Sequence, residues 1–563
     1  MRFDSFSYQR PDVQQSTHIF EQSLEAFRAA GSYEEVSRAF DAINTIRTSI
    51  ASNWNLCHIR HTINTRDAFY HAENTFFDEV IPQFQRLDHQ FYQALLETPF
   101  RNDLEQQWGK QLFRLAETML ATFNDAILED RQVENSLNSS YIQLKAGAEI
   151  RFRDKVYNLS NIHPLEIDPD RDTRKEAALA KWQFFEQHQD AIHDIFDRLV
   201  RTRHAIATKL GFENFVSLGY ARLARTDYTA ADVRKVREAI REYVVPVVSR
   251  LYARQQEELG LDELFFYDEG FRFVEGNPKP EGDADWIMAQ ARRMYDELSP
   301  ETSVFFRDME SRGLMDLLSK DGKATGGYCT YISDYEAPFI FSNFNGTSAD
   351  IDVLTHEAGH AFQVFSSRHW KLKEYEWPTF EACEIHSMSM EFLTWPWMHL
   401  FYGKDTPRQL FAHLSSAVMF LPYGAAIDEF QHWVYENPDA TPSERSQQWR
   451  ELEKIYLPER NYEGQAWLEA GNAWMRQSHI FSVPFYYIDY VLAQFCAFQF
   501  WIRSRANDPQ AWPDYLALCQ AGGSQSFTEL LHTGNLKSPF EPAHIRDIMT
   551  RVAEWLESAA KSH

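Results

Sequence analysis

The chain has 563 residues, more than a single hydrophobic core normally serves, so its length predicts several lobes or one large helical body with a cleft. Hydrophobic residues make up 44% and charged residues 25%, a globular composition that excludes a largely disordered chain. The formal net charge of -26 disfavours binding to nucleic acid or to an anionic membrane surface, because both would repel the chain.

The first half of the chain carries helical spacing. Apolar residues recur at i, i+3, i+4 and i+7, as in Ile192, Ile195, Phe196 and Leu199. Similar patterns run from about 17 to 255 and again after 350, so we predict a mostly α protein with a large helical body. The sequence EGNPKPEGD, 275–283, is rich in Gly and Pro and predicts an exposed loop.

Residues 324–347 break the helical rhythm. The sequence ATGGYCTYISDYEAPFIFSNFNGT is rich in Tyr, Phe, Ile and Thr and is interrupted by Gly-Gly, Ala-Pro and Asn-Gly. This composition predicts short strands joined by turns, and hence a small sheet. Ser348 or Asp350 can cap the helix that follows, because their side-chain oxygens accept free backbone N–H groups.

The helix predicted to start near Asp350 contains the sequence HEAGH. His356 and His360 lie one turn apart on one face, and Glu357 follows the first histidine. Imidazole nitrogens at this spacing suit a zinc ion, with the glutamate beside the metal where a water would bind. The alternative is a helix that carries two incidental histidines. Gly359 argues mildly against it, because glycine is unfavourable in a helix unless another backbone or a substrate passes close.

A catalytic zinc needs a third protein ligand, and the downstream sequence FEACEIHSMSMEFLTW offers several glutamates. The extended pattern HExxHxxGxxH is absent, so the third ligand is not a histidine of that kind. Glu384 and Glu391 are two turns apart on a helix predicted to end at Trp395-Pro396, and Glu381 lies one turn earlier. Glutamates on a helix usually form a solvated face, but Met388 and Phe392 place apolar bulk beside this pair.

Three other features have more ordinary interpretations. Five scattered cysteines without a CxxC pair indicate reduced thiols. Cys383 lies close to His386, which could indicate a thiol nucleophile. The role of a small buried apolar residue is favoured for Cys383, because no partner that would orient or activate the thiol is apparent nearby. The sequence SHIFSVPFYYIDYVLAQ, 478–494, taken alone is an aromatic helix start, for which core packing is favoured.

Together, the sequences NFNGTSADIDVLTHEAGHAF, EACEIHSMSME and SHIFSVPFYYIDYVLAQ resemble the zinc peptidase family of thimet oligopeptidase and oligoendopeptidase F. The length and the later motifs are most similar to the Pz-peptidase-like oligoendopeptidases. The resemblance covers 324–494 at the level of motifs and the rest of the chain more weakly. It implies a large helical zincin-type metallopeptidase with a small β-sheet beside the active-site helix and a deep substrate cleft.

The family resemblance also implies roles for individual residues. One zinc ion per chain is held by His356, His360 and Glu384, with Glu381 as the fallback for the third ligand and Glu391 orienting a ligand by a hydrogen bond. Glu357 is the general base. His479 and Tyr490 face the scissile bond, and so does Tyr487, which is chosen over Tyr486 although the spacing from His479 is one residue shorter than in the thimet branch.

We therefore expect a zinc-dependent oligoendopeptidase that cuts internal bonds of short unstructured peptides. An N-terminal helical region, 1–200, would cover the cleft of a catalytic domain, 201–563, and the segment 337–345 would pair with the substrate by strand addition. A zinc exopeptidase and a non-catalytic peptide-binding protein are the alternatives. The absence of an apolar leader in MRFDSFSYQRP, with a longest late apolar run of only 13 residues, predicts a cytoplasmic location without membrane partners. The sequence predicts no oligomeric state.

Overall fold

The computed structural model describes residues 1–159, 161–320, 322–324 and 326–562. Thr325, which belongs to the segment predicted as strands, lies outside the described residues. The protein is mostly helical, as predicted. Its helices α1 to α26 are, in chain order, Val13–Ala29, Tyr33–Ile63, Ala68–Glu97, Arg101–Trp108, Gln111–Ala121, Leu128–Ala146, His163–Glu166, Arg171–Gln187, Gln189–Lys209, Phe215–Arg222, Ala230–Ala239, Val245–Glu258, Ala284–Leu298, Pro300–Arg312, Ala349–Ser367, Lys373–Glu376, Phe380–Leu393, His399–Tyr402, Thr406–Glu436, Pro442–Tyr456, Ala466–Glu469, Ser478–Ser482, Tyr487–Arg505, Ala511–Ala521, Phe527–Thr533 and Pro542–Ala559.

Two small sheets interrupt the helices. Their strands β1 to β5 are Ile150–Phe152, Lys155–Tyr157, Met315–Leu318, Tyr328–Ile332 and Ala337–Phe344. The first two strands form a hairpin, whereas the other three form a sheet in the order β3-β5-β4, with β5 parallel to β3 and antiparallel to β4. The predicted sheet is therefore present, but it also includes β3, which precedes the segment that the sequence singled out.

The central position of β5 corrects one expectation. We expected residues 337–345 to pair with a substrate, but both edges of β5 are already paired, with β3 on one side and β4 on the other. Of the two edge strands, β4 is the one that contacts helix α15, and the carbonyl oxygen of its Tyr331 accepts from the side-chain amide of Asn55 at 2.8 Å. Strand addition in this sheet would therefore use β4.

The start of α15 also differs from the expectation. The helix follows Ser348, whose side chain makes no capping hydrogen bond. The carboxylate of Asp350 accepts the backbone N–H groups of Asn345, at 2.9 Å, and Gly346, at 2.7 Å. Asp350 therefore stabilises the turn between β5 and α15, and neither residue acts as the predicted cap.

The apolar side chains form two clusters. The smaller cluster combines residues of α1 to α5 with Leu372 and Tyr375, and the larger cluster fills the rest of the protein. Helix α15 lies within the larger cluster: of the apolar stripe that its spacing predicts, Leu354, Ala358, Ala361 and Phe362 are fully buried, and Phe365 is half-buried at the edge of the cluster. The proposed division of the chain at residue 200 stays a prediction.

One stretch, His399–Glu436, is long and apolar enough to cross a membrane, with a mean hydropathy of 1.5 in its most apolar window. Buried residues make up 61% of that window. Packing inside the protein accounts for its apolar composition.

Candidate metal centre and catalytic side chains

Helices α15 and α17 approach each other closely at Gly359. A Cβ atom at this position would lie 2.6 Å from the carbonyl oxygen of His386 and 2.6 Å from the Cα atom of Ser387. Real Cβ atoms do not approach backbone atoms so closely, so only glycine permits this packing. Another backbone does pass close to Gly359, as the sequence suggested, and it brings Glu384 on α17 towards the histidines of α15.

Three side chains from these two helices converge on one point. The ligand atoms of His356, His360 and Glu384 all lie within 4.8 Å of one another. Glu384 Oε2 is 3.3 Å from His356 Nε2 and 3.6 Å from His360 Nε2. No other group of three metal-type side chains converges in this way within the described ranges of the chain.

These distances fit a zinc site. Tetrahedral ligands with bonds of about 2.0–2.2 Å lie roughly 3.3–3.6 Å apart, which matches the separations between Glu384 and the two histidines. Two imidazoles and one carboxylate are also a donor set that zinc uses at catalytic sites, with the fourth position left open. The residues present therefore fit one zinc ion.

The second nitrogen of His356 is held by a chain of hydrogen bonds. Its Nδ1 lies 2.7 Å from Oε1 of Glu391, and Oε2 of Glu391 lies 2.8 Å from Nε2 of His413 on α19. The indole N–H of Trp395 donates to Nδ1 of His413 at 3.1 Å. Because a carboxylate occupies Nδ1, the Nε2 atom of His356 is the one free to face Glu384.

Glu384 is equally constrained. The hydroxyl of Tyr486 donates to Oε1 at 2.5 Å, and the hydroxyl of Ser387 donates to Oε2 at 2.9 Å. Burial opposes ionisation of Glu384, but its electrostatic interactions with His360 and His356 and its hydrogen bonds with His356 and Tyr486 lower its pKa to about 2. Glu384 is therefore a fixed carboxylate.

The two histidines titrate in opposite directions. Burial lowers the pKa of His360 to about 4, which keeps that imidazole neutral. Burial also opposes the charged form of His356, but the hydrogen bonds to Glu384 and Glu391 outweigh it and raise its pKa well above the usual value. A site with two buried carboxylates favours a cation, and either a proton on His356 or a metal ion provides one.

Glu357 follows His356 directly in α15. Its side chain is buried, and burial raises its pKa to about 7, with the carboxylates of Glu384 and Glu391 adding to the shift. A Cβ atom on Gly327, just before β4, would lie 3.6 Å from Oε1 of Glu357. The glycine thus leaves space in front of the carboxyl group, at the edge of the sheet.

Glu381, the fallback for the third ligand, does not join the cluster. It is fully buried one turn earlier on α17, where burial raises its pKa and the charge of Arg225 opposes that shift. Neither carboxylate oxygen has a hydrogen-bond partner among the described residues. The structure therefore brings Glu384, and not Glu381, to the histidines.

Cys383 on α17 is half-buried, not fully buried as the sequence suggested. Its thiol lies 3.5 Å from the carbonyl oxygen of Pro378, and burial raises its pKa well above the usual value. Both ring nitrogens of His386 lack a partner among the described residues. A thiolate nucleophile is therefore disfavoured here.

The segment 477–490 forms an aromatic wall beside Glu384. The ring of His479 lies 5.0 Å from that of Tyr487 and 5.9 Å from that of Tyr490, and Tyr486 lies 4.9 Å from Tyr490. The sequence preferred Tyr487 over Tyr486, but Tyr486 is the tyrosine that hydrogen bonds to Glu384. The ring of Tyr487 packs 5.8 Å from that of Tyr423.

A hydrogen-bond chain defines the tautomer of His479. The hydroxyl of Tyr423 donates to Oε1 of Gln477 at 3.0 Å, and this orients the amide so that its Nε2 donates to Nδ1 of His479 at 2.7 Å. Burial lowers the pKa of His479 to about 4, so the ring is neutral at pH 7. Its proton then resides on Nε2, where it can be donated to a ligand.

Phe485 redirects the chain between α22 and α23. It has a φ of 69°, in the left-handed region that a bulky side chain rarely adopts. Its N–H donates to Oε1 of Gln431 at 2.8 Å, and its carbonyl accepts from Arg225 at 2.6 Å. These buried contacts hold a strained turn that orients the tyrosines following it.

Comparison with known proteins identifies the family. A model described as Peptidase family M3 matches residues 165–279 and 290–550, and a model of the Peptidase M3 N-terminal domain matches residues 3–123. The chain belongs to peptidase family M3. It is therefore a peptidase of an oligopeptidase family that is generally zinc-dependent, as the resemblance in its motifs implied.

Relatives of this M3 peptidase support the same conclusion. A solved structure titled Pz peptidase A with inhibitor 2 is 54% identical, with 99% of each chain covered and a TM-score of 0.95. The oligoendopeptidase F homolog of Borreliella burgdorferi is 21% identical over 79% of this chain and 75% of its own length. Oligoendopeptidase-F from Enterococcus faecium, 15% identical with 98% of each chain covered and a TM-score of 0.65, shares the fold.

Several residues of the site were missed in the sequence. His413 lies on α19, 22 residues beyond Glu391, with no spacing that links the two. Tyr423 and Gln477 are 54 residues apart and meet only in the fold. Ser387 was within reach, because it follows Glu384 by three residues on the same helix and so shares its face.

Proposed function

We propose that this M3 peptidase is a zinc-dependent oligoendopeptidase. The observation that carries the proposal is the convergence of His356, His360 and Glu384 at the separations of a tetrahedral zinc site, with Glu357 directly after His356 on the same helix. One zinc ion per chain would be held by these three residues, leaving one position open. Bound there, zinc supplies Lewis acidity to the scissile carbonyl and to the attacking water.

Glu357 is the general base and acid in this proposal. Its carboxylate accepts a proton from the attacking water and returns it to the nitrogen of the leaving amine. Burial favours the protonated form of this carboxyl group, which is the form that delivers the proton to the leaving amine. A protein that only bound peptides would have no need of a general base at this position.

The aromatic wall would stabilise the negative charge that develops on the carbonyl oxygen. Tyr490 and the Nε2–H of His479 are the proposed donors, and Tyr487 contributes the surface against which they pack. Burial keeps the pKa of Tyr490 above its usual value, so its hydroxyl retains the proton that it donates. Glu391 and Tyr486 act indirectly, by fixing the orientation of His356 and of Glu384.

The outer edge of β4 would bind the peptide backbone, at positions other than the Tyr331 carbonyl that Asn55 already contacts. A strand edge reads an extended chain through backbone hydrogen bonds and demands few particular side chains. The position of Gly327 supports this, since the absent side chain leaves the start of β4 open beside Glu357. Folded proteins cannot present such a strand, so we propose short unstructured peptides as substrates, with the N-terminal region, 1–200, covering them.

Mapping of cleavage products tests this proposal. The purified protein is incubated with a mixed peptide library, with and without a chelator, and the products are identified by mass spectrometry. We expect internal cleavage that the chelator abolishes and that added zinc restores. Stepwise loss of single residues from one end would instead indicate the exopeptidase, and the absence of any product in the zinc-loaded protein would contradict a peptidase role for this site.

A further inference from the structure

A second group of charges lies beside the aromatic wall. Arg476, just before the helix that carries His479, lines a cavity of about 200 Å³ together with Lys181 and Trp182 of α8. Lys145 of α6 contacts the same segment: its Nζ donates to the carbonyl oxygen of Arg476 at 3.0 Å and to the hydroxyl of Ser478 at 2.6 Å. We call Lys145, Lys181 and Arg476 the cation cluster.

Positive charge exceeds negative charge at this cluster. The carboxylates in the cavity wall are already paired, Glu166 with Lys181 at 2.9 Å and Glu269 with Arg460 at 2.6 Å. Across the described residues, neither Arg476 nor Lys145 forms an ion pair with a carboxylate. In a chain of net charge -26, two partly buried cations without anionic partners need an explanation other than folding stability.

The surroundings of both groups show the cost of this arrangement. The guanidinium of Arg476 lies between two rings, 5.5 Å from that of Trp182 and 5.2 Å from that of Tyr423. These rings hold the guanidinium flat without neutralising it. Burial, together with the charges of Arg476 and Lys181, lowers the pKa of Lys145 to about 8. An anion would relieve this repulsion.

The cluster is close to the reacting groups. The ring of Tyr490 lies 5.8 Å from that of Tyr487, which lies 5.8 Å from that of Tyr423, against which Arg476 packs. An extended residue spans about 3.3–3.6 Å, so a peptide whose scissile carbonyl lies at Tyr490 reaches Arg476 within about five residues.

We propose that Arg476, with Lys145 beside it, binds a carboxylate of the peptide substrate, supplied by its C-terminus or by an acidic side chain near that end. The inference rests on the proposed peptidase function and adds the direction in which the peptide lies in the site. A planar guanidinium matches the geometry of a carboxylate with two parallel hydrogen bonds. Residues that follow the scissile bond then run past Tyr487 and Tyr423, and cleavage occurs within about five residues of the anchored carboxylate.

Paired peptides test the inference. Two quenched peptides of one sequence, with three to five residues after the scissile bond, end in a free acid or in an amide. With wild-type protein we expect kcat/KM to be about 10-fold or more higher for the acid, the size of one charge-assisted hydrogen bond. A third peptide, amidated but ending in glutamate, distinguishes the two sources: recovery of the rate assigns an acidic side chain as a ligand, and no recovery assigns the C-terminus alone.

Variants link the preference to this site. In Arg476→Gln the ratio of acid to amide should fall towards one, in Lys145→Gln it should fall less, and Arg476→Lys should keep part of it. Arg293→Gln, an exposed arginine on α13, is the matched control and should keep the wild-type ratio. Because the readout is a ratio within each variant, a general loss of activity does not imitate the effect.

Two results would overturn the inference. Equal rates for acid and amide in the wild-type protein would do so, and so would a preference that persists in Arg476→Gln. In both cases cleavage itself continues, so the proposed peptidase function would stand. Failure of the zinc-loaded wild-type protein to cut any of the peptides would instead contradict the proposed function.

Discussion

Regular helical spacing sets the positions of the polar side chains on helices α15 and α17. In the segment 477–490, the positions of the side chains depend instead on one residue in the left-handed conformation and on contacts with residues far away in the chain. In the helices, Gly359 lets two backbones approach until Glu384 meets the histidines. In the segment, Phe485 is held by Gln431 and Arg225, 54 and 260 residues away. The three converging side chains are thus positioned by a local sequence pattern and one close contact between two helices. The hydrogen-bond donors of the segment 477–490 are positioned by contacts between segments that are distant in the sequence.

The largest effect is expected where the helices supply the chemistry. Replacing Glu357 by Gln should reduce kcat by roughly 10²-fold to 10⁴-fold, because the amide has the same shape but cannot accept a proton from water. Zinc content should stay at one ion per chain, since Glu357 is not among the three converging ligands. Peptide turnover and metal analysis check both parts. Loss of zinc, or retained activity, would show that Glu357 has another role.

The second-largest effect is expected from a change in the segment 477–490. Tyr490→Phe should lower kcat by about 10²-fold with little change in KM, as expected for a donor that binds only the transition state. Steady-state kinetics on one quenched peptide measure this. Tyr243→Phe removes a hydroxyl whose charged neighbours, Glu242 and Arg546, are not residues of the site, and this control should behave as wild type. A pure rise in KM for Tyr490→Phe would make this tyrosine a residue that positions the substrate.

Gly359→Ala tests the close contact between the helices. The new methyl group would overlap with the backbone of His386 and Ser387, so we expect a loss of about 1–3 kcal/mol in the free energy of unfolding and weaker zinc binding. Thermal unfolding and competition with a metal indicator measure the two effects. Gly31→Ala is the matched control, because its nearest neighbour would be 3.7 Å away. Wild-type stability and zinc affinity in Gly359→Ala would contradict the packing argument.

The smallest effect concerns the burial of His479. Its pKa is lowered to about 4, whereas an unfolded histidine takes up a proton near pH 6.5, so acidification from about 6.5 to about 4 favours the unfolded chain. Between about pH 6.5 and about pH 4, the free energy of unfolding should therefore fall less in His479→Asn than in the wild type. The expected difference is about 1–2 kcal/mol, a value reduced for the partial exposure of the ring. Unfolding midpoints at several pH values test this. Parallel curves for the two proteins would show that His479 does not resist protonation.

The sequence predicted the helical character and the two histidines with Glu357, because a pattern of five residues on one helix determines their relative positions. It preferred Glu384 to Glu381 through a family resemblance, and the geometry agrees. It misplaced the substrate strand, although the nearly continuous apolar sequence of β5, APFIFSNF, is typical of a central strand buried on both faces. His413 and the left-handed Phe485 had no local signal, since both depend on contacts between distant segments.

The central claim is that α15 and α17 build one zinc site from His356, His360 and Glu384. Its most direct test is the zinc content per chain of two matched variants after dialysis, Glu384→Gln and Glu381→Gln. Both replace a buried glutamate of α17, three residues apart, by an amide of the same shape. We expect about one zinc per chain in the wild type and in Glu381→Gln, and little in Glu384→Gln. Zinc retained by Glu384→Gln but lost from Glu381→Gln would contradict the account.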